Sequence, residues 1–574
     1  MIKRMQARLA FYLVAGLVAI TLAGTLRHSP ASGQELPAAT EAATSEASSA
    51  NPVSSAAATG EAIAEEGRAV VTKLPPPPAD PAWVKPIDDL FGAVLVKPLE
   101  TILFFNLGRA AVWFGTPESE IPTVPLVVAW LVAGALFFTV RMRFVNLWAF
   151  GHAVALTRGD YDDPADKGEV SHFQALSSAL SATVGLGNIA GVATAVSLGG
   201  PGAVFWMTVV GFLGMTSKFT ECTLGVLYRE ISPEGRVSGG PMHYLKTGLA
   251  EIGWGKVGTV LSLFFAVMCI GASFGGGCAY QVNQSLRAIE TVVPVLSEYR
   301  WAYGLLMVVA VGVVIVGGIK QIAATAEKIV PLMTAVYVVC TLTILAAHAD
   351  RIVPAFQTIL VEAFTPAAGL GGVIGVMFMG ARRAAFSNEA GVGSASIAHS
   401  AAKTDEPVSE GIVALLEPFI DTIVICNMTG LLIVVTGVYA DPAFAHLNGA
   451  EKGALLTVNA FGTVSPWFPY LLAVAVFMFA YSTAISWSYY GERCWSFLFG
   501  ERASLVYKLL FLTFAFLGSI VTAQNALDFS DLMILAMAFP NVFGAFLLSG
   551  RVYAELQAYW ARLQTHSLRG GRHK

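Results

Sequence analysis

Residues 181–195 read SATVGLGNIAGVATA, and residues 388–395 read NEAGVGSA. Both carry Asn, a variable residue, Ala, Gly, Val and then small residues, and Asn188 and Asn388 stand 200 positions apart. Each stretch is polar and glycine-broken, yet each lies in a segment otherwise apolar enough to cross a bilayer. Backbone that leaves the helix at membrane depth is tolerated only against protein or a water-lined cavity. Such a break exposes amide groups at the amino end of one half-helix, where the positive dipole end suits a carboxylate. It also frees carbonyls that suit a small hard cation. Interrupted helices at matching places in two halves of a chain point to a transport site. The competing reading is close packing, because Gly187 and Gly191 also form a small-xxx-small pattern.

The surrounding composition agrees with a membrane solvent. The chain has 574 residues, 55% hydrophobic and only 13% charged, about half the charge of an average soluble domain. It is read as an all-α polytopic membrane protein. No basic domain or RNA- or DNA-binding motif is present, so no nucleic-acid partner is expected. The six cysteines form no CxxC pair and fit no metal spacing; they are read as small buried hydrophobes.

At the amino end, residues 1–33 combine Lys3, Arg4 and Arg8, an apolar run and Ala31-Ser32-Gly33, the pattern of an export signal or, with so long a run, an anchor. Residues 34–85 are rich in Ala, Ser, Glu and Pro and are read as a disordered periplasmic segment. Residues 86–122 are apolar but interrupted by charges and Pro98, which suits an interfacial periplasmic helix region. The transporter domain is placed at 123–550 and a basic cytosolic tail at 551–574.

About eleven spans are expected after the signal: 123–143, 174–197, 202–227, 257–284, 301–318, 328–347, 367–397, 410–437, 466–489, 505–523 and 527–549. A translocated amino end makes the first run inward and leaves the carboxyl end in the cytoplasm. The loops then predicted inside hold Arg141, Arg143, Arg229, Arg236, Arg493, Arg502 and many other basic residues, while the outside loops between spans hold only Arg287, Arg300, Arg351 and Lys452. That asymmetry follows the positive-inside rule and supports a multi-pass protein of the cell inner membrane with its amino terminus in the periplasm. The stretches around Asn188 and Asn388 fall in helices of opposite direction five spans apart, as an inverted repeat of two five-helix units requires.

Several polar residues compete for roles. Arg382 and Arg383 would be costly at mid-bilayer unless paired, so the break of the second helix is expected at Phe378-Met379-Gly380, with SNEAG nearer the cytosol. Phe479, Ser482 and Thr483 stand at i, i+3, i+4 and offer a carbonyl and two hydroxyls on one face, as a hard cation prefers; alternatively the hydroxyls bond back to their own helix. Glu417 and Asp421 share a helix face beside Pro418. They either serve cation coupling or bond Arg382, Arg383 or freed amides. Lys218 and Glu221, three apart, are expected to form a local pair, and Asp528 and Asp531 to cap the last span. Gln281 and Asn283 are placed near the outer end of a Gly-rich span, where they could line an entrance.

The stretches SATVGLGNIAGVATAVSLGGPGAVFWM, GGPMHYL, FSNEAGVGSAS, EPFIDTIVICNMTGL, WSYYGER and AFPNVFGAFLLSG together resemble the alanine or glycine:cation symporter family, the sodium:alanine symporters. The resemblance implies the leucine-transporter-like 5+5 inverted-repeat core of the amino-acid/polyamine/organocation carriers, with one extra N-terminal transmembrane helix. It implies that Thr183, Gly185, Leu186, Gly187 and Asn188 surround the amino acid's carboxylate. It further implies a sodium site from the carbonyls of Ser181 and Val184 with Phe479, Ser482 and Thr483. Phe378, Met379 and Gly380 would close the pocket, with Trp487 and Phe274 as walls. Cys278 departs from the family pattern, where an Asn is expected.

The reading is a sodium-coupled symporter that imports alanine or glycine by alternating access, as a monomer, with Na+ as coupling ion and no other cofactor. A proton-coupled carrier, a transporter-like amino acid sensor and a passive channel are the alternatives. There is no HExxH, GxSxG or nucleotide loop, and no enzyme activity is expected.

Overall fold

The computed structural model describes residues 84–97, 124–163, 165–233, 235–364 and 372–565. The expected signal at 1–33, nearly all of the 34–85 segment, residues 98–122 of the interfacial region and the last nine residues of the tail lie outside the described residues. The described part is almost entirely helical, with one two-residue strand pair, Glu230–Ile231 against Val237–Ser238.

Helices occupy each of the eleven expected segments. Six are long and apolar enough to cross a membrane: Gly202–Leu227, Gly255–Glu290, Gly318–Ala347, Pro407–Thr436, Phe468–Phe499 and Ala523–Gln564. The bent pair His172–Thr183 and Gly187–Gly199, whose halves meet at 49°, is long and apolar enough when taken together. Leu126–Arg141 and Arg300–Ile315 are shorter apolar helices. The remaining two segments hold Gly372–Asn388, followed by the short helix Ala395–His399, and Ser504–Gly518.

Local chemistry explains the boundaries. Ser171 starts the first broken helix with a capping box, its hydroxyl accepting from the Gln174 amide while the Gln174 side chain accepts from the Ser171 amide. The helix expected at 328–347 begins ten residues earlier, at Gly318. The added stretch holds Lys320, Gln321 and Glu327, which are good helix formers but poor membrane residues; hydropathy therefore ends the span before the helix ends. The expected tail at 551 is likewise the continuation of helix Ala538–Gln564.

Part of the region expected at the interface is also helical. Val84–Phe91 forms a helix that continues as a wider turn to Val96. The Asp88 carboxylate accepts from the Thr522 amide at 2.8 Å and from its hydroxyl, and Phe91 packs edge-on to Phe529. The segment thus docks on the start of helix Ala523–Ala536, where Thr522 itself is the cap. Neither Asp528 nor Asp531 caps that helix.

Between these elements, helix Gly202–Leu227 packs along Gly372–Asn388 and Pro407–Ala414, and Phe468–Phe499 packs along Gly255–Phe274, Gly318–Ala347 and His172–Thr183. The two broken helices and Pro407–Thr436 meet inside this frame.

Candidate functional site

The first break follows from two unwound residues. The helix stops at Thr183, Val184 leaves the helical region (φ −76°, ψ 87°), and the chain turns helical again from Gly187. The freed amides are taken by side chains. Gly185 N–H donates to Asn188 Oδ1 at 2.8 Å, and Leu186 N–H donates to Gln281 Oε1 at 3.0 Å. Gln281 therefore reaches the break. A carboxylate drawn to these amides has to displace two neutral amide oxygens, an exchange that favours the charged acceptor.

Beside this break, oxygens gather. Thr483 Oγ1 donates to the Ser181 carbonyl at 3.0 Å, Ser181 Oγ donates to the Ser482 carbonyl at 2.7 Å, and Ser482 Oγ donates to the Phe479 carbonyl at 3.0 Å. Ser482 thus bonds back to its own helix, whereas Thr483 crosses to the broken one. All four residues are buried, and Val184, also buried, is the first residue of the unwound turn. Hydroxyls can rotate to present lone pairs instead of protons, so this cluster can reorganise around a cation. Gly185 is required here: a Cβ on it would lie 2.4 Å from Thr483 Oγ1.

The second break lies elsewhere than the sequence led us to expect. Phe378, Met379 and Gly380 sit inside a continuous helix, Gly372–Asn388. The chain opens after Asn388, where Glu389 (φ 55°), Gly391 (φ 84°) and Gly393 (φ 97°) adopt left-handed conformations. The argument from Arg382 and Arg383 fails because both are paired: Arg382 Nε donates to Asp531 at 2.9 Å, and Arg383 also bonds Asp531. Their partner removes the cost that pushed the break away. Gly380 instead lets this helix cross Gly202–Leu227, since a Cβ there would lie 2.6 Å from the Ala203 carbonyl oxygen. Met379 packs toward Gly199, and Phe378 is partly buried against the core.

Both breaks converge on Asp421. Its carboxylate accepts from Asn188 Nδ2 at 2.6 Å, from Ser387 Oγ at 3.0 Å and from Thr422 Oγ1 at 2.7 Å. Asn388 Nδ2 in turn donates to Thr422 Oγ1 at 2.8 Å. The two asparagines of the repeated motif therefore fasten the two broken helices to adjacent residues of one helix, within its widened turn Phe419–Cys426. Wide turns of this kind often mark functional positions. Gly187 faces Ser387 across the gap, with an added Cβ at 3.3 Å from its Cα.

Other expected residues fall as follows. Trp487 Nε1 donates to Glu389 Oε1 at 3.0 Å, so Trp487 walls the second break. The other Glu389 oxygen accepts from Ser394. Phe274 stacks on Phe514 with ring centroids 4.7 Å apart and on Tyr507, in an aromatic cluster with helix Ser504–Gly518. Thr183 bonds back to the Ala179 carbonyl. Cys278 is buried beside the Phe511 carbonyl, and all six cysteines are free and buried.

Two expected pairings are corrected. Lys218 bonds Glu417 at 2.8 Å and not Glu221, which accepts from Asn541 Nδ2 at 2.9 Å. Glu417 and Asp421 do not hold the arginines; Asp531 does. The partners lie 199 and 149 residues apart in the chain, a distance that no local spacing signals. Ser387 and Glu389 were present in the quoted motif, and their part in the site was hidden only by the misplaced break. His172, His399 and Glu410 gave no local sign of belonging together.

The sodium:alanine symporter family model matches residues 111–570. The chain is 40% identical over 439 residues to the sodium/alanine symporter AgcS of Methanococcus maripaludis, covering 76% of this chain and 94% of that protein. It is 31% identical to a sodium/proton-dependent alanine carrier protein of Bacillus sp. strain PS3, covering 69% and 89%. Among solved structures, MhsT in complex with L-phenylalanine matches at 13% identity and a TM-score of 0.44, covering 68% of this chain and 99% of that one. The chain belongs to the sodium:alanine symporter family. It is a multi-pass membrane protein of amino acid transport, and the activity the family defines is cation-coupled amino acid symport.

Proposed function

We propose that the chain imports a small neutral amino acid, alanine or glycine, together with sodium by alternating access. The observation that carries this reading is the convergence of both broken helices on Asp421, beside the oxygen cluster of Ser181, Phe479, Ser482 and Thr483. Sodium sits among those oxygens with the Val184 carbonyl. The cargo's carboxylate takes the amides at Gly185–Asn188, next to the sodium, so each ligand strengthens the other's binding. Asp421 supplies the negative charge that balances a cationic group at the crossing. No cofactor is needed beyond the coupling ion. The names of both relatives, which join alanine to sodium, support the choice of cargo and ion.

In this reading the chain crosses the inner membrane eleven times. Two inverted five-helix units, opening with the two broken helices, follow one extra helix, Leu126–Arg141. The amino end is periplasmic, the carboxyl end cytoplasmic, and the working unit is a monomer.

Uptake of labelled alanine into proteoliposomes tests the reading. An inward sodium gradient is expected to drive saturable accumulation that collapses when the gradient is dissipated. Flux that neither saturates nor depends on sodium would mean a pore, and alanine binding without uptake would mean a sensor.

A further inference from the structure

Five buried ionisable side chains outside the cargo site form one continuous line. Lys218 Nζ bonds Glu417 Oε1 at 2.8 Å, and Glu417 Oε2 faces His399 Nε2 at 3.5 Å. His399 Nδ1 bonds Glu410 Oε1 at 2.6 Å, and Glu410 Oε2 bonds His172 Nδ1. Lys218, His399, Glu410 and Glu417 are each 0% exposed and His172 is 4% exposed. Glu410 and Glu417 lie two turns apart on one face of helix Pro407–Thr436, and Asp421 is one turn further along it. His172 opens the first broken helix and His399 closes the inner half of the second. The line therefore ties the inner ends of both broken helices to the helix that holds both breaks.

Charge and hydrogen bonding ask for one added proton. With Lys218 cationic, both glutamates anionic and both imidazoles neutral, the line carries a net charge of −1, which is costly away from water. Glu410 accepts at both oxygens, which places a proton on Nδ1 of each histidine. A neutral His399 would then aim a bare Nε2 lone pair at Glu417 Oε2. Those two atoms have no other hydrogen-bond partner among the described residues. A proton on His399 Nε2 makes the line neutral and points a donor at that carboxylate. The titratable and charged groups around the line are Asp162 and Asp166 beside His172, Arg229 near Glu410, Glu221, Glu389 and the Cys222 thiol around Lys218, and Asp421 beyond Glu417. Any ionisation of the acids in that set adds to the demand for a proton, while Arg229 is engaged by the carbonyls of Lys167, Ser400, Ala402 and Thr404.

We propose that the Lys218–Glu417–His399–Glu410–His172 line is a proton-binding site separate from the cargo site, and that its proton locks the inner end of the first broken helix against Pro407–Thr436. The inference rests on the alternating-access reading for its direction. A proton from the cytoplasm binds between His399 and Glu417 while His172 is docked on Glu410. It returns to the cytoplasm when that end swings away and water reaches the glutamates. Because the docked state binds the proton more tightly, acid favours the closed inner end and alkali its opening.

Spin labels on Phe173→Cys and Lys256→Cys in the full chain, reconstituted in lipid, test this without any transport. Both positions are exposed, and the native cysteines are buried. Raising the pH from about 6 to about 9 is expected to increase the longer-distance population about tenfold, the change given by a one-unit difference in proton affinity. His399→Gln is expected to flatten that profile, and His172→Gln, which keeps a neutral donor to Glu410, to preserve it. Glu410→Gln removes an anion instead and is expected to flatten the profile as well, so it serves if His399→Gln does not fold. A pH shift that survives in folded His399→Gln or Glu410→Gln overturns the proton site. A shift present in the parent and lost in these variants, alongside absent alanine uptake, supports the proton site and removes only the carrier reading.

Discussion

The two breaks solve the same problem with opposite means. At the first, Val184 and Gly185 leave the helix without any left-handed residue, and the freed amides are satisfied by Asn188 and Gln281. The turn is short, neutral and pressed against Phe468–Phe499 through Gly185 and Thr483. At the second, three left-handed residues, Glu389, Gly391 and Gly393, carry the chain through a longer loop, and a buried carboxylate at its start is held by Trp487 and Ser394. The first break is built around oxygens and peptide groups released from the helix, which are the right ligands for a cation and a carboxylate. The second is built around backbone conformation and one anchored acid. What unites them is Asp421 with Thr422, to which both asparagines of the repeat are fastened. The comparison assigns ligand chemistry to the first break and conformational tolerance to the second, with the shared carboxylate keeping them in register.

The largest effect is expected where the breaks are joined. Asp421→Ala leaves the Asn188 amide and the Ser387 and Thr422 hydroxyls short of an acceptor, at about 1–3 kcal/mol for each buried group left unsatisfied. Alanine uptake in proteoliposomes should fall about 100-fold or more, the change that roughly 3 kcal/mol produces. Uptake within a few-fold of the parent would show that the breaks do not depend on this junction.

Smaller and more informative is a pair of alanine substitutions, one in each break. Gly185→Ala places a Cβ 2.4 Å from Thr483 Oγ1, so it should weaken sodium activation of uptake about tenfold, an effect of about 1.4 kcal/mol. Gly391→Ala meets a flexible Leu131 methyl at 2.8 Å and Val542 at an ordinary 3.6 Å but must adopt φ +84°, at a cost of about 1–2 kcal/mol. It should lower thermal stability while leaving the sodium concentration for half-activation unchanged. The reverse pattern would exchange the roles assigned to the two breaks.

The smallest effect is expected far from both. His152 lies on the short helix Phe150–Thr157, bonds the Tyr559 hydroxyl at 2.7 Å, and burial lowers its pKa from 6.5 to about 4. Its folded pKa lies below the unfolded one, so the unfolded chain binds the proton first. The contribution is complete above pH 6.5 and is lost as pH falls toward about 4. Melting curves between those values should show a slope that His152→Gln reduces, with sodium-driven uptake at neutral pH unaltered. An unchanged slope would place the acid sensitivity elsewhere.

Much of this arrangement was legible in the residues. The apolar segments located the helices, the glycine-broken stretch at 185–188 located the first break, and the i, i+3, i+4 spacing of Phe479, Ser482 and Thr483 put them on the face that meets Ser181. What was hidden was hidden by distance along the chain. Arg382 and Arg383 looked uncompensated because Asp531 is 149 and 148 residues away, and that single missing partner displaced the second break by about ten residues. Lys218 and Glu221 looked like a pair at helical spacing, but both are buried, and the lysine bonds Glu417 from another helix while Asn541 takes Glu221. Spacing reports which side chains share a face of one helix. It does not report which other helix supplies the opposing charge.

The central claim is that sodium and the amino acid bind side by side at the first break. Alanine affinity of the purified protein, titrated at rising sodium concentration, tests it most directly. The account predicts that sodium tightens alanine binding, that alanine tightens sodium binding by the same factor, and that Ser482→Ala with Thr483→Ala abolishes both effects. Alanine affinity that is the same with and without sodium in the unmodified protein would contradict it.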